Sequence, residues 1–166
     1  MNCDCTIITN FVDGYAAKSP PVEKLRRGYS FKKRYYTLGL VDICMKCCRN
    51  LESLGRKLVF SYYIDETQQQ LKGRFEVENS KLERVYEIEE LPKSCFDRKY
   101  ILKWTMKTYD RVLYLIWDDE GEGKQLLNVF KDYRENRRRS RSRQSSDTSE
   151  ASSHGGSSRH SSNGSR

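Results

Sequence analysis

The chain has 166 residues, of which only 36% are hydrophobic, and its formal net charge is +8. This length accommodates about one folded domain together with a disordered end. No stretch approaches the ~18 consecutive apolar residues of a transmembrane helix, which excludes a helical membrane span. The N-terminus does not resemble a secretion signal. We therefore expect an intracellular protein, in the nucleus, the cytoplasm or both, with its six cysteines reduced.

The charge is unevenly distributed along the chain. Residues 1–60 carry 11 Lys/Arg against 5 Asp/Glu, residues 61–133 carry 12 against 15, and residues 134–166 carry 8 against 3. Basic flanks on a mildly acidic middle favour electrostatic contact with a polyanion. Two solvated, charged flanks without a partner would give the same pattern.

Residues 1–36 have no regular apolar pattern. A turn signal at Asp13-Gly14 and a break at Ser19-Pro20-Pro21 predict an irregular, basic N-terminal segment. Its last part, residues 24–36, mixes six cations with four aromatic residues. This mixture is typical of surfaces that bind single-stranded nucleic acid through phosphate contacts and base stacking. The alternative is a strand with its aromatic side chains inward and its cations outward.

Between residues 37 and 133 the apolar residues follow two different periods. From Leu40 to Leu54 they recur every three or four residues and end at Gly55, which predicts a helix. After residue 57 the period becomes two, which predicts antiparallel strands. The predicted strands cover residues 58–64, 71–77, 82–88, 100–107 and 112–117, the last of which is apolar on both faces and should be central. Residues 124–133 follow as a short helix or a last strand, and the helix is favoured.

These elements predict an α+β fold that is mainly antiparallel β. It has about five or more strands that could close into a small barrel, one or two helices and a disordered C-terminal tail. The folded domain is predicted over residues 37–133. Residues 134–166 are predicted to form a disordered Arg/Ser-rich tail. From Gln144 onward they contain no aliphatic residue except Ala151, so they cannot offset the entropy cost of ordering.

The strongest functional signal is the Arg/Ser stretch at the start of this tail, residues 134–143. Its arginines favour forked contacts with phosphate, and the run is typical of a nuclear import signal. Ser140 and Ser142 lie between arginines, so phosphorylation, at about −2 per site, would cancel much of this charge. The predicted nucleic-acid-binding residues are Arg26, Arg27, Lys32, Lys33, Arg34, Arg137, Arg138, Arg139, Arg141 and Arg143.

Patterns for catalysis and metal binding are sparse. Both histidines, His154 and His160, lie in the predicted tail, where no fold would hold them for acid–base chemistry. Four thiolates that zinc could share are those of Cys3, Cys5, Cys44 and Cys47. The last two fall on one face of the predicted helix, which favours packing instead. We predict a non-enzymatic protein without a cofactor or bound metal.

Residues 44–133 resemble the lipocalins. A cysteine is followed eleven residues later by Gly55 and a strand, then by Lys81-Leu-Glu, and then by a tyrosine-rich strand pair over residues 107–115. The family's N-terminal Gly-x-Trp has no counterpart, and Trp117 stands where the next cysteine is expected. The resemblance implies a β-barrel with a small apolar ligand inside.

Three functions are compatible with these observations. The first is a non-enzymatic regulatory protein that binds nucleic acid, in particular RNA, with an architecture similar to small viral accessory proteins such as silencing suppressors or movement factors. A host nuclear import factor or kinase would then be a further partner. The alternatives are a lipocalin-like binder of a small apolar ligand and a protein-interaction module with the tail as a phosphorylation switch.

Overall fold

A computed structural model describes residues 7–42, 56–92 and 96–146. The fold is α+β and mainly antiparallel, as the sequence predicts. The strands and helices are β1 (Ile7–Lys18), α1 (Val22–Arg26), β2 (Lys32–Asp42), β3 (Arg56–Tyr63), β4 (Leu71–Glu76), β5 (Lys81–Val85), β6 (Tyr100–Met106), β7 (Arg111–Trp117) and α2 (Gly121–Ser146), with a 3-10 turn over Lys107–Tyr109. The chain divides into two compact units, Met1–Asp132 and Tyr133–Arg166.

The seven strands form one sheet in the order β4-β3-β2-β1-β7-β6-β5. Its two edge strands, β4 and β5, are consecutive in sequence and joined by residues 77–80 only. In a flat sheet with strands ~4.8 Å apart, these edges would be separated by ~29 Å. The five residue steps between Glu76 and Lys81 reach at most ~18 Å. The sheet must therefore be strongly curled. It is not closed, so the predicted small barrel is in fact an open sheet.

Aromatic side chains fill the interior of the curled sheet. The ring of Phe60 on β3 lies 4.9 Å from Trp104 on β6 and 6.3 Å from Phe75 on β4. Trp104 also contacts Phe130 of α2, with ring centroids 5.4 Å apart. Phe60 and Trp104 are completely buried. Their contact joins strands that are four places apart in the sheet, which agrees with the curvature. Lipocalin-like ligand binding stays a prediction.

A second hydrophobic cluster lies on the outer face of β6 and β7. Its buried members are Leu25, Ile88, Ile101, Tyr114 and Ile116. Leu25 is supplied by α1, and Ile88 by the segment that follows β5. Because this face is covered by its own short helix and loop, the sheet buries apolar side chains on both faces, although it is antiparallel.

The structure confirms the five predicted strands, which are β3 to β7, and the helix predicted after β7. The prediction that residues 1–36 are irregular is wrong. Ile7–Lys18 form β1 and Lys32 begins β2. The alternation of β1 was hidden because its pairing with β2 shifts register twice, between Ile7 and Thr9 and between Asn10 and Val12. Each irregularity moves the following side chains out of a strict period of two.

Two further boundaries differ from the sequence prediction. The helix predicted over residues 40–54 is wrong for its first three residues, which belong to β2. The rest of that helix lies outside the described residues. The predicted tail begins as helix, since α2 continues to Ser146. Arg, Glu, Lys and Gln are good helix formers, and Glu135 pairs with Arg139 one turn later at 2.8 Å. Residues 147–166 lie outside the described residues.

Candidate nucleic-acid interface

The predicted N-terminal basic residues do not share one surface. Arg26 ends α1 and Arg27 follows it. Both side chains are exposed, and Arg26 lies 3.8 Å from Glu90. The other three predicted residues lie on β2. Because successive side chains of a strand point to opposite faces, Lys33 lies on one face of β2, and Lys32 and Arg34 lie on the other.

Lys33 takes part in a local aromatic arrangement on the outer face of the sheet. Its Nζ lies 4.6 Å from the ring centroid of Tyr15, which packs edge-on against Tyr35 at 5.2 Å. The Tyr35 hydroxyl donates a 2.7 Å hydrogen bond to Asp13. Burial and this hydrogen bond raise the pKa of Tyr35 to about 12. These contacts are sufficient to explain Lys33 as part of the fold.

The opposite face of β2 contributes Lys32 and Arg34 to a set of four cations. We call this set, which also includes Lys18 and Arg111, the basic cluster. Lys18 is the last residue of β1 and lies directly across from Lys32 on β2. Arg34 is paired with Ala16 and is the diagonal neighbour of Lys18. Arg111 begins β7, which joins β1 through the pairs Ala17–Ile116 and Lys18–Leu115. Three strands therefore supply the cluster.

Two of the cations in the basic cluster lie over aromatic rings, those of Tyr62 and Phe75. Lys18 Nζ lies 4.5 Å from the ring centroid of Tyr62, and Arg111 Cζ lies 4.9 Å from that of Phe75. The two ring centroids are themselves 5.6 Å apart. Two cations are thus held side by side over adjacent rings. Such cation–π contacts compensate in part for the loss of water around the charges.

In the part of the chain that the structure describes, the basic cluster lacks carboxylate partners. Within residues 7–42, 56–92 and 96–146, none of its four members forms an ion pair with a carboxylate. Lys18 and Arg34 donate hydrogen bonds only to the main-chain oxygens of Ser19, at 2.8 Å, and Lys33, at 2.9 Å. Lys57 and Lys81, by contrast, pair with Glu76 at 3.2 Å and Glu83 at 2.7 Å.

The crowding of these cations affects Lys18 most strongly. Its residue is only 8% exposed. Burial, together with the guanidinium groups of Arg111 and Arg34, lowers the pKa of Lys18 to about 8. Like charges placed directly opposite one another on neighbouring strands destabilise a sheet. Lys18, Arg34 and Arg111 are at least partly buried, and the basic cluster has no carboxylate partner among the described residues, so a bound anion would offset the mutual repulsion of its cations.

The arginines of the Arg/Ser stretch lie in the second unit, on α2. Arg137, Arg138 and Arg139 are consecutive and therefore point in directions ~100° apart around the helix. Arg137 and Arg141 are one turn apart and share a face. Arg138, Arg139 and Arg141 are exposed, and Arg139 pairs with Glu135. Arg143 lies within the bounds of α2.

The two predicted phosphorylation sites lie on the same helix. Ser140 Oγ donates a 3.0 Å hydrogen bond to the main-chain oxygen of Asn136, and Ser142 Oγ donates one of the same length to that of Arg139. Both residues are exposed. Both hydroxyls therefore bond to the backbone of the helix that carries the predicted arginines.

Other kinds of site find little support in the described part of the chain. No group of three or more His, Cys, Asp or Glu side chains there could hold a metal ion. The cysteines considered as zinc ligands and both histidines lie outside it. No helix of the same residues is long and apolar enough to cross a membrane. In comparisons by sequence, no protein-family model and no curated protein matches the chain.

Sequence reasoning missed Lys18 and Arg111. Each is the first or last residue of a strand and is separated in sequence from the other basic residues of the cluster. A weak signal for Lys18 is the Tyr-Ala-Ala run before it. This run is compatible with a largely buried strand that ends at the lysine. Only the strand pairing brings Lys18 and Arg111 beside Arg34.

Proposed function

We propose that the protein is a non-enzymatic nucleic-acid-binding protein, with RNA as its expected ligand, and that the basic cluster binds the phosphate backbone. The observation that carries this proposal is the gathering of Lys18, Lys32, Arg34 and Arg111 without a carboxylate partner among the described residues. A phosphate group supplies the missing negative charge. Arg34 and Arg111 offer forked N–H donors that match phosphate oxygens, and Lys18 offers a point charge.

The charge of the whole chain favours a polyanion over a single small anion as the ligand. The net charge is +8, and α2 carries a further set of exposed arginines. Proteins that neutralise several phosphates release the counterions of the nucleic acid, so their affinity falls steeply as the salt concentration rises. A small anion bound by the basic cluster alone would leave the arginines of α2 without a role.

The test is RNA binding by fluorescence anisotropy as a function of salt concentration. Labelled single-stranded RNA and a duplex of equal length are compared. We expect the logarithm of the affinity to fall linearly with the logarithm of the salt concentration, by ~0.7 for each single-strand phosphate neutralised. The triple variant Lys18→Met, Arg34→Gln and Arg111→Gln should bind more weakly and have a shallower slope.

A matched control removes cations that have carboxylate partners. Lys81→Met and Arg56→Gln change exposed residues that pair with Glu83 at 2.7 Å and Asp42 at 3.8 Å. We expect these variants to bind RNA nearly as the wild type does. The proposal fails if the wild type has no salt-dependent affinity for RNA, or if the triple variant binds as tightly as the control. Equal binding of an acidic peptide would show that the ligand is a protein.

A further inference from the structure

The side chain of Tyr86 is unusually open to solvent. Tyr86 directly follows β5, which is an edge strand, and its residue is 80% exposed. Burying one face of so exposed a ring against a ligand would remove apolar surface from water. Exposure alone does not make a site, but Tyr86 is supported by a neighbouring arginine and lines a cleft.

Arg84 supports the ring of Tyr86 from beneath. Its Cζ lies 5.0 Å from the ring centroid of Tyr86 and 3.9 Å from that of Tyr100 on β6. Tyr100 is 3% exposed and packs against Trp117 at 6.2 Å. Nη1 of Arg84 also lies 3.8 Å from Oε2 of Glu120. The guanidinium is therefore fixed between two rings, and it presents Tyr86 as a supported flat surface.

This stack lines one wall of a cleft of about 520 Å³, a volume within the usual range of ligand sites. Arg98 and Lys99 also line it, together with the acidic residues Asp97 and Asp119. Lys99 is paired with Asp118. Arg84 Nε is buried and has no hydrogen-bond acceptor among the described residues. The cleft thus combines a flat aromatic surface with both donors and carboxylate acceptors.

We infer that this cleft binds a nucleobase of a single-stranded nucleic acid, with the base stacked on Tyr86. The inference rests on the proposed function and adds the class of its substrate. Aromatic rings and arginine planes are the surfaces on which proteins stack unpaired bases. In a duplex the faces of a base are covered by its neighbours, so Tyr86 could reach only a base that is free of the stack.

The carboxylates of Asp97 and Asp119 in the lining predict which bases bind best. Carboxylates accept hydrogen bonds from exocyclic amino groups, as in the pairing of Asp or Glu with the amino group of cytosine. Adenine and cytosine carry such a group, and uracil does not. The cleft should therefore prefer oligoadenylate and oligocytidylate over oligouridylate.

The experiment measures the affinity of the full chain for three single strands (oligoadenylate, oligocytidylate and oligouridylate) and for one RNA duplex of equal length, all at one salt concentration. Tyr86→Ala should weaken binding of the single strands by about 5- to 150-fold, the range that corresponds to one lost base–aromatic stack. It should leave duplex binding unchanged. Tyr86→Phe should retain the wild-type affinity, because the stacking face is preserved.

Tyr109→Ala is the matched control. Tyr109 is another exposed tyrosine, at 46%, and lies in the 3-10 turn. Its removal should not change the preference for single strands. Unfolding by urea should show a stability for Tyr86→Ala within about 1 kcal/mol of the wild type, because the exposed side chain loses only its contact with Arg84.

The outcomes separate this inference from the proposed function. Wild-type affinity of Tyr86→Ala for single strands, or tighter binding of the duplex by the wild type, overturns the nucleobase site. If the triple variant of the basic cluster still loses affinity in the same assay, the proposed function stands. A wild-type chain that binds none of the four RNAs overturns both.

Discussion

Replacing Lys18 by methionine should make the protein more stable and a weaker binder of RNA. Burial lowers the pKa of Lys18 from its ordinary 10.5 to about 8, and Arg111 and Arg34 contribute. Such a change corresponds to about 3 kcal/mol of cost for holding the charged amine in the folded protein at neutral pH. Lys18→Met removes this charge and keeps an unbranched side chain of similar length.

The expected gain is smaller than this full cost. Lys18 donates a 2.8 Å hydrogen bond to the main-chain oxygen of Ser19 and lies 4.5 Å from the ring centroid of Tyr62. Both contacts are lost in the variant. We expect the free energy of unfolding at pH 7 to rise by ~1–3 kcal/mol, within the range seen when apolar residues replace buried charges.

The pH dependence gives this prediction a distinctive signature. Between about pH 8 and about pH 10.5 the unfolded chain still holds the Lys18 proton and the folded protein has lost it. Raising the pH through this window therefore stabilises the wild type, because the cost of the buried charge disappears. The advantage of Lys18→Met should be largest below pH 8 and should disappear before pH 10.5, because the two lost contacts then outweigh the remaining cost of the charge.

Urea unfolding of both proteins across this pH range measures the effect. Lys81→Met is the control, since Lys81 is exposed and pairs with Glu83. Its stability should stay within about 0.5 kcal/mol of the wild type. A Lys18→Met variant that is less stable than the wild type at neutral pH, or whose gain does not change with pH, would show that the Lys18 charge does not destabilise the folded protein. Higher stability with lower RNA affinity is typical of a functional residue.

Three further changes test the packing and the regulation. Gly73→Ala should destabilise the protein by ~1–3 kcal/mol in urea unfolding, because the new methyl group would overlap the buried ring of Tyr62; unchanged stability would contradict this contact. Phe130→Ala should cost ~3–5 kcal/mol in the same assay, since Phe130 is 2% exposed; a loss below about 1 kcal/mol would show that α2 does not complete the core. Glutamate at both Ser140 and Ser142 should weaken RNA binding at low salt, with alanine at both positions as the control; equal binding of the two double variants would exclude a charge switch there.

The sequence by itself determined the strands from β3 to β7 and the helix after them. β4, β5 and β6 alternate more buried with more exposed side chains, whereas β3 and β7 are largely apolar runs that are buried on both faces, and both patterns are visible in the local sequence. Leu102 and Trp104 on β6, for example, alternate with the half-exposed Lys103 and Thr105. The helix-forming residues of α2 are likewise a local property.

Only the tertiary structure decided the rest. The polar residues and bulges of β1 conceal its alternation, so β1 is recognisable only through its long pairing with β2. Strand alternation divides Lys33 from Arg34, although they are adjacent in sequence. Pairing of β1 with β2 and β7 then brings Lys18 and Arg111 to Arg34. Strand register and sheet curvature depend on contacts between distant residues. No local pattern could therefore specify the basic cluster or the stack on Arg84.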